Sequence, residues 1–448
     1  MRVLRVQPGG PLRGTASLPG DKSISHRALL LSAIADATTE FRNLSPCGDV
    51  ASTMAALRQL GVVIEGSGGT DGDRVLVHGR GMFGLGGPPV EIDCGESGTT
   101  MRLLCGLLAG QARSFVLSGS AALRRRPMER VVAPLRSMGA RVEASSGHAP
   151  LRGSGGAPLH ARRIELERAS AQVGGAVLLA GLLADGTTEV VYPSPVRDHT
   201  ERMLADMGVA VRWSPSGSAL VGPVPRLSPW SGGDGAVPGD VSAAAFLLTA
   251  AALTPGSSVR LDGVGINPGR TGFLEVLALA GAAPDEANYA LSGGETTATL
   301  AIAGPAPGAL RAVELGEAGA PSASRAIDEL PLLAVLATQA GGRTSVRGAA
   351  ELRVKECDRI AATVEGLSRM GAQIEEHADG FSVTGPTRLS GALVDGHGDH
   401  RIVMALAVAG LVAGGETIVT DAERVSDSFP GFVAALRELG AGVTEEEG

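Results

Sequence analysis

Leu57-Arg-Gln-Leu-Gly61 is the first of six copies of one pattern: leucine, two variable residues, an apolar residue and glycine. The others are Leu135-Arg-Ser-Met-Gly139, Leu204-Ala-Asp-Met-Gly208, Leu277-Ala-Leu-Ala-Gly281, Leu367-Ser-Arg-Met-Gly371 and Leu436-Arg-Glu-Leu-Gly440. Glycine in this place suits the left-handed residue that closes a helix, because it has no Cβ to clash there. In most copies alternating residues follow, as in Gly139-Ala-Arg-Val-Glu143 and Gly371-Ala-Gln-Ile-Glu375, which predicts a strand. A second pattern alternates with the first, again six times: an apolar helix ends in a small turn and runs into a strand. Its copies start at Ile34, Leu107, Leu182, Leu253, Thr338 and Val412. Each unit therefore holds two helices and several strands, in the order βαβαββ. Copies recur about every 70 to 90 residues, too long for a solenoid repeat and suited to a small α/β unit.

Six such units fill the 448 residues, three to a domain, in an α/β fold. The boundary falls in the Gly/Pro/Ser-rich stretch Ser214 to Gly239. Gly66 to Asp73 and Gly153 to Ala157 read as hairpin turns inside units, and the first residues, Met1 to Val6, read as a strand with no leader segment. Hydrophobic residues are 44% and charged residues 19%, ample for buried cores. Aromatics are 3%, which argues against a stacking platform for nucleic acid. A net charge of -8 disfavours nonspecific binding to DNA or anionic membranes, and no apolar run reaches the roughly 18 residues of a membrane span. Cys47, Cys94, Cys105 and Cys357 are scattered without a CxxC, so reduced thiols and a cytoplasmic protein are expected.

Polar residues collect where the apolar helices begin: Gly20-Asp-Lys-Ser-Ile-Ser-His-Arg27, Gly95-Glu-Ser-Gly-Thr-Thr-Met-Arg102, Ala169-Ser-Ala-Gln172, Gly239-Asp-Val-Ser242, Ile327-Asp-Glu329 and Gly398-Asp-His-Arg401. Much of this is ordinary N-capping, and Gly239-Asp-Val-Ser242 is read as that alone. Lys22, Arg27, Arg102 and Arg401, however, bring cations to helix ends whose dipole disfavours them, a cost that a bound anion would offset. Of 39 basic residues only Lys22 and Lys355 are lysine. Survival by accident is one reading. The other is that both sites need a compact ammonium able to transfer a proton.

Further charged clusters precede the second helices: Leu123-Arg-Arg-Arg-Pro127, Ser194-Pro-Val-Arg-Asp-His-Thr-Glu201 and Arg353-Val-Lys-Glu-Cys-Asp-Arg359. On a helix Lys355 and Arg359 would be i,i+4 and share a face, and the ordinary reading is a salt-bridged surface helix. Gly79-Arg-Gly-Met-Phe-Gly84 matches GxGxxG, but Pro88-Pro89 stands where a nucleotide-binding helix would run. Neither lysine follows a glycine, so there is no Walker A loop. His397 and His400 lack the further partners a metal needs. No Ser or Cys stands in a nucleophile elbow.

Taken in this order, from Leu18-Pro-Gly-Asp-Lys-Ser-Ile-Ser-His-Arg27 to Ser428-Phe-Pro430, the motifs resemble the 5-enolpyruvylshikimate-3-phosphate synthase family over nearly the whole chain. The resemblance implies an inside-out fold of two domains with three βαβαββ repeats each, and an active site in the cleft between them. It adds a second boundary near residue 20, giving residues 1–20 plus 237–448 as one domain and 21–236 as the other. It implies transfer of the enolpyruvyl group of phosphoenolpyruvate to the 5-hydroxyl of shikimate 3-phosphate, with release of phosphate. No metal or organic cofactor, nucleic acid or membrane is implied, and a monomer is expected. By resemblance Lys22, Gly98, Thr99, Arg102, Arg126, Gln172, Glu356, Arg359 and Arg401 hold phosphoenolpyruvate. Lys22, Ser23, Arg27, Ser170, Gln172, Ser194, Arg197, Asp328 and Lys355 hold shikimate 3-phosphate. Lys22, Asp328 and Glu356 are the implied catalytic residues; Asp328 takes the hydroxyl proton and Glu356 delivers one to the methylene carbon.

The chain departs from the family pattern at four places. Glu96 stands where many members have Asn, and a carboxylate there repels bound phosphate unless protonated or paired. Asp427 stands where some have lysine, Gly174 where lysine is common, and Asn267-Pro-Gly-Arg270 replaces the usual Asn-x-Thr-Arg; the last two are read as peripheral. Gly98 stands where glyphosate-tolerant members carry Ala, which points to a sensitive enzyme. Two alternatives remain open at this point. The related UDP-N-acetylglucosamine enolpyruvyl transferases usually carry a cysteine in the loop corresponding to Ser118 to Arg126, and none is there. A silent anion-binding homologue is the other, motivated by Glu96 and Asp427.

Overall fold

A computed structural model describes residues 2–68, 74–214, 217–231, 235–316 and 320–447. The chain opens with β1 (Arg2–Val6) and β2 (Arg13–Ala16). The first repeat is α1 (Lys22–Ala33), β3 (Thr38–Phe41), α2 (Gly48–Gln59), β4 (Val63–Glu65) and β5 (Val75–His78). The second is β6 (Val90–Asp93), α3 (Gly98–Ala109), β7 (Phe115–Ser118), the short α4 (Ala121–Arg124), α5 (Glu129–Ser137), β8 (Arg141–Ser145) and β9 (His148–Ser154). The third is β10 (Arg163–Glu165), α6 (Ala171–Gly181), β11 (Thr188–Val191), α7 (His199–Asp206), β12 (Arg212–Ser214) and β13 (Ser218–Val221). Then follow α8 (Val241–Leu253), β14 (Ser258–Gly265), α9 (Gly272–Leu279), β15 (Asp285–Ser292) and β16 (Glu295–Ala303). The fifth repeat is β17 (Glu314–Leu315), α10 (Leu330–Ala337), β18 (Gly342–Val346), α11 (Arg359–Arg369), β19 (Gln373–His377) and β20 (Gly380–Gly385). The last is β21 (Leu393–Val394), α12 (His400–Gly410), β22 (Thr417–Val419), α13 (Phe432–Glu438) and β23 (Val443–Glu447).

The chain folds as two compact units. The terminal unit holds Met1–Pro19, Gly239–Ala290 and Thr297–Gly448; the inserted unit holds Gly20–Pro238 and the hairpin tip Leu291–Thr296. Nothing in the sequence marks that tip, because its crossing depends on contacts far along the chain. Each unit has its own hydrophobic core.

The repeat explains the sheets. Three of them share one order, β6-β7-β9-β8, β10-β11-β13-β12 and β17-β18-β20-β19: a parallel pair joined across a helix, then an antiparallel hairpin. β1 completes β21-β22-β1-β23, and β2 lies parallel to β14 in β15-β16-β14-β2. The N-terminal strands thus fill places that the last and fourth repeats lack. The first repeat has three strands, β3-β5-β4, with the bridge Arg42↔Ala236 at its open edge.

The apolar helices lie inside each unit. All thirteen residues of α8 and all eight of α10 are buried, as an all-apolar helix requires. The strands alternate, β5 with one face buried and β14 largely so. α3 and α6 touch backbone to backbone, since a Cβ on Gly106 would lie 2.2 Å from the Ala176 carbonyl oxygen. The six pattern glycines, Gly61, Gly139, Gly208, Gly281, Gly371 and Gly440, all have φ between 84° and 98° and close α2, α5, α7, α9, α11 and α13.

One local expectation is corrected. Gly153 to Ala157 is no hairpin turn: Gly153 and Ser154 end β9, and the turn is Ser146-Gly147, both at positive φ. Gly155 is needed instead for close approach, its Cβ position lying 2.1 Å from the Arg113 amide nitrogen. In Gly66 to Asp73, residues 69–73 lie outside the described residues, while β4 and β5 on either side pair antiparallel. The four cysteines are free thiols, and burial pushes Cys94 and Cys105 up to about 12, leaving them unreactive. Among the described residues no helix is long and apolar enough to cross a membrane.

Candidate active site

In the inserted unit the polar helix starts form one connected patch. Asp21 caps α1 by accepting from the Ile24 amide at 2.9 Å, which puts Lys22 on the first turn. The Lys22 ammonium lies 3.1 Å from Oδ2 of Asp49, an acid on the first turn of α2. One turn on, Arg27 is 3% exposed. Its Nε donates to Thr200 Oγ1 at 2.7 Å and its Nη1 to the Ser23 carbonyl at 2.9 Å. Burial pushes the Arg27 guanidinium below its ordinary value, and Glu201 and Asp21 act against that. Arg27 therefore ties Ser23 to the start of α7, just after the segment that carries Ser194 and Arg197. Ser194 is exposed and Arg197 half-buried. Where α7 starts, His199 Nδ1 and Glu295 Oε1 of the hairpin tip are 2.6 Å apart, both side chains 1% exposed.

The starts of α3 and α6 meet through Gln172. Its amide donates to Thr99 Oγ1 at 2.8 Å and its carbonyl accepts from Arg102 Nη1. Ser170 caps α6 through its Oγ. Gly98 lies against two guanidinium groups: a Cβ there would be 2.9 Å from Arg102 Nη1 and 3.3 Å from Arg126 Nη1. Behind these cations runs a neutral chain, His26 Nδ1 to Thr53 Oγ1 (2.7 Å), Thr53 to Thr100 (2.6 Å) and Thr100 to Ser97 (2.7 Å). Burial pushes His26 down to about 3, so its ring stays neutral. Gly174 makes room for Tyr192, whose hydroxyl would lie 2.1 Å from a Cβ and donates to Glu201. Glu96 is half-buried before α3 and forms no ion pair among the described residues.

In the terminal unit the site residues gather around Arg359, which is 2% exposed at the start of α11. Its Nη2 donates to Glu356 Oε2 and its Nε to Asp399 Oδ2, each at 2.7 Å, and Nη1 lies 3.5 Å from Asp328 Oδ1. Burial disfavours the guanidinium charge, but Asp399, Glu356 and Asp328 outweigh it and raise its pKa above the ordinary arginine value. Burial likewise disfavours the Asp399 charge, yet Arg359 and His400 hold that carboxyl below its usual range. Lys355 Nζ also lies 3.5 Å from Asp328 Oδ1, and 3.8 Å from Glu351. Arg401 Nη1 reaches the Asp328 carbonyl at 3.0 Å and Glu329 Oε1 at 3.2 Å.

One expectation fails here. Lys355 and Arg359 do not share a helix: Ala350–Val354 is a 3-10 turn, Lys355 is extended, and α11 starts only at Arg359. The reason is Asp358, whose carboxylate accepts from the Ile360 and Ala361 amides and caps the helix. The two cations still converge on one carboxylate oxygen. Asp49, Asp399, Glu329 and Thr200 join the site without having been singled out from the sequence. Asp399 and Glu329 stood inside quoted helix starts, and Asp49 carried the weak signal of an acid on a first helical turn. Asp427 ends the 3-10 turn Ala422–Asp427, 3.7 Å from Arg424 Nη1. Among the described residues no group of three or more His, Cys, Asp or Glu could hold a metal ion.

The inserted unit can clamp anions, and the terminal unit sets two accessible carboxylates against cations, as acid–base transfer on an anionic substrate requires. Comparison with known proteins fits this chemistry. The EPSP synthase (3-phosphoshikimate 1-carboxyvinyltransferase) family model matches residues 6–436. The 3-phosphoshikimate 1-carboxyvinyltransferase of Desulforudis audaxviator is 47% identical over 98% of this chain and 99% of its own length. That of Halorhodospira halophila is 48% identical over 98% and 96%. The EPSP synthase structure from Acinetobacter baumannii superposes with a TM-score of 0.89 at 38% identity, covering 100% of both chains. With its repeats, its charged helix starts and likeness over this length, the chain belongs to the EPSP synthase (3-phosphoshikimate 1-carboxyvinyltransferase) family.

Proposed function

We propose that this chain transfers the enolpyruvyl group of phosphoenolpyruvate to the 5-hydroxyl of shikimate 3-phosphate and releases phosphate, a step toward chorismate and the aromatic amino acids. The observation that carries this reading is identity of 47–48% to enzymes of that name across 97–98% of the chain.

The residue roles follow from the chemistry of each group. Lys22, Arg102 and Arg126, with Gly98, Thr99 and Gln172, hold phosphoenolpyruvate together with Arg359 and Arg401. Ser23, Ser170, Ser194, Arg197 and Lys355 hold shikimate 3-phosphate, with Lys22 and Gln172 contributing to both. Arg27, its donors directed at Thr200 and Ser23, supports this set by fixing Ser23. Asp328 accepts the proton of the attacking hydroxyl; Lys355 and Arg359 at 3.5 Å stabilise its carboxylate form, which a base needs. Glu356 gives a proton to the methylene carbon. Its 2.7 Å pairing with Arg359 favours the carboxylate, so an anion that draws on Arg359 frees Glu356 to carry that proton. The carboxyl of phosphoenolpyruvate is such an anion.

Residues 1–20 with 237–448, and 21–236, are proposed as the two domains, working as a cytoplasmic monomer without metal or organic cofactor. The test is phosphate release from phosphoenolpyruvate by the purified chain with and without shikimate 3-phosphate, and with a chelator. Release only with shikimate 3-phosphate, unaffected by chelator, is expected. Release that depends on UDP-N-acetylglucosamine, or none with either acceptor, rejects the reading.

A further inference from the structure

Arg401 is the end of a buried chain of alternating charge whose other members have no assigned role. Asp240, the N-cap of α8, accepts at Oδ1 from Arg270 Nη2 at 2.9 Å. The same Nη2 donates to Ser242 Oγ at 2.8 Å. Ser242 donates to Glu329 Oε1, and that oxygen accepts again from Arg401 Nη1 at 3.2 Å. Asp240 and Arg270 are 7% exposed, Ser242 5% and Glu329 4%. Four segments are joined: the start of α8, the turn Asn267 to Arg270, the end of the 3-10 turn Ala323–Glu329, and the start of α12.

The direction of every link is fixed. Arginine can only donate, so the Ser242 oxygen is an acceptor toward Arg270 and its one proton must go to Glu329. Glu329, buried, needs its charge matched, and the serine hydroxyl and Arg401 do so. Arg401 in turn spends Nη1 on Glu329 and on the Asp328 carbonyl. Its Nε and Nη2 make no hydrogen bond or ion pair among the described residues, and that edge of the guanidinium is the one suited to a two-point contact with a carboxylate or phosphate. Because the Asp328 carbonyl shares Nη1, the same chain fixes the anion clamp relative to the main chain of the proposed base.

We propose that Arg270, Ser242 and Glu329 are positioning residues for Arg401: they set which edge of its guanidinium meets phosphoenolpyruvate. This rests on the proposed function. The test is steady-state kinetics for both substrates on Ser242→Ala, Glu329→Ala, Glu329→Gln and Arg270→Lys, with melting temperature alongside. Ser242→Ala and Glu329→Ala should raise KM for phosphoenolpyruvate about fivefold while KM for shikimate 3-phosphate stays within about twofold. Glu329→Gln keeps an acceptor for Arg401 and Arg270→Lys keeps a donor for Ser242, so each should raise KM for phosphoenolpyruvate less than Glu329→Ala does. Equal changes in both KM values, or none in Ser242→Ala, overturn the positioning chain. Ser242→Ala removes one hydroxyl only and decides the matter if Glu329→Ala does not fold. Wild type assayed in parallel separates the two claims: an inactive wild type rejects the function itself, and an active one with unshifted variants rejects this inference alone.

Discussion

The cations of the inserted unit and those of the terminal unit are held by different mixtures of partners. Arg27 and Arg102 donate to hydroxyl, carbonyl and amide acceptors, with Glu201 and Asp21 also acting on Arg27, and Lys22 faces Asp49. Arg359 instead stands among three carboxylates, Lys355 between two, and Arg401 against Glu329. Neutral partners hold a cation in place while leaving most of its field for a ligand. Carboxylate partners cancel that field until a competing anion arrives, and two of them, Asp328 and Glu356, are the proposed proton-transfer groups. The inserted unit is thus built for standing affinity. Under the proposed function, arrival of an anion in the terminal unit would change the protonation chemistry of its neighbours.

The strongest way to break this comparison is at Asp328. Asp328→Asn keeps the shape but cannot accept a proton, so kcat should fall by about 100-fold or more, with smaller changes in both KM values. A kcat within tenfold of wild type would place the base elsewhere. Next comes acid stability, which the inserted unit should limit through His26. Folded His26 stays neutral down to about pH 3, whereas the unfolded ring takes up a proton below about 6.5. The unfolded state therefore binds more protons in that window, and stability is lost as pH falls from 6.5. The loss reaches about 2 kcal/mol at pH 5. Chemical denaturation of wild type and His26→Gln at pH 7 and pH 5 measures it; an equal pH loss in the variant would assign the lability to other groups.

The lysines sharpen the comparison, one in each unit. Lys22→Arg and Lys355→Arg should keep the fold and each lower kcat/KM at least about tenfold, or about 1.4 kcal/mol, Lys22 the more. Guanidinium is bulkier than ammonium and does not give up its proton. Near-wild-type rates in both would make the two lysines accidents of composition. The smallest effect is expected at Gly98→Ala. The new methyl crowds Arg102 and Arg126 at their flexible ends, so the fold adjusts while KM for phosphoenolpyruvate rises about fivefold, near 1 kcal/mol. A large fall in melting temperature would show that the guanidinium groups are fixed by the core instead.

Much of the site was legible because its residues stand at helix starts, where local rules apply. A cap such as Asp21, a cation on a first turn such as Lys22, and the pair Ser170 and Gln172 are visible within a few residues of sequence. Their partners were not. Asp49 meets Lys22 across 27 residues, Asp399 meets Arg359 across 40, and Glu329 meets Ser242 across 87. No local pattern encodes such a pairing. The Asp358 cap shows the same limit at short range: a helix through Lys355 and a helix starting at Arg359 fit the same residues, and the side chain of Asp358, capping the Ile360 and Ala361 amides, selects the second.

By itself the sequence determined the repeat, and through it the fold. The six glycines must end helices because only glycine adopts their backbone at no steric cost, and the apolar helices must be buried because they have no polar face. Two matters were left to the tertiary structure. One is which repeat borrows a strand: β1 and β2 complete sheets more than 200 residues away in sequence, an outcome of edge hydrogen bonds left open elsewhere. The other is the charge state of the site. A buried cation is neutralised or left exposed to a ligand according to which carboxylate the fold brings within about 4 Å, and that distance exists only once the core of each unit has packed.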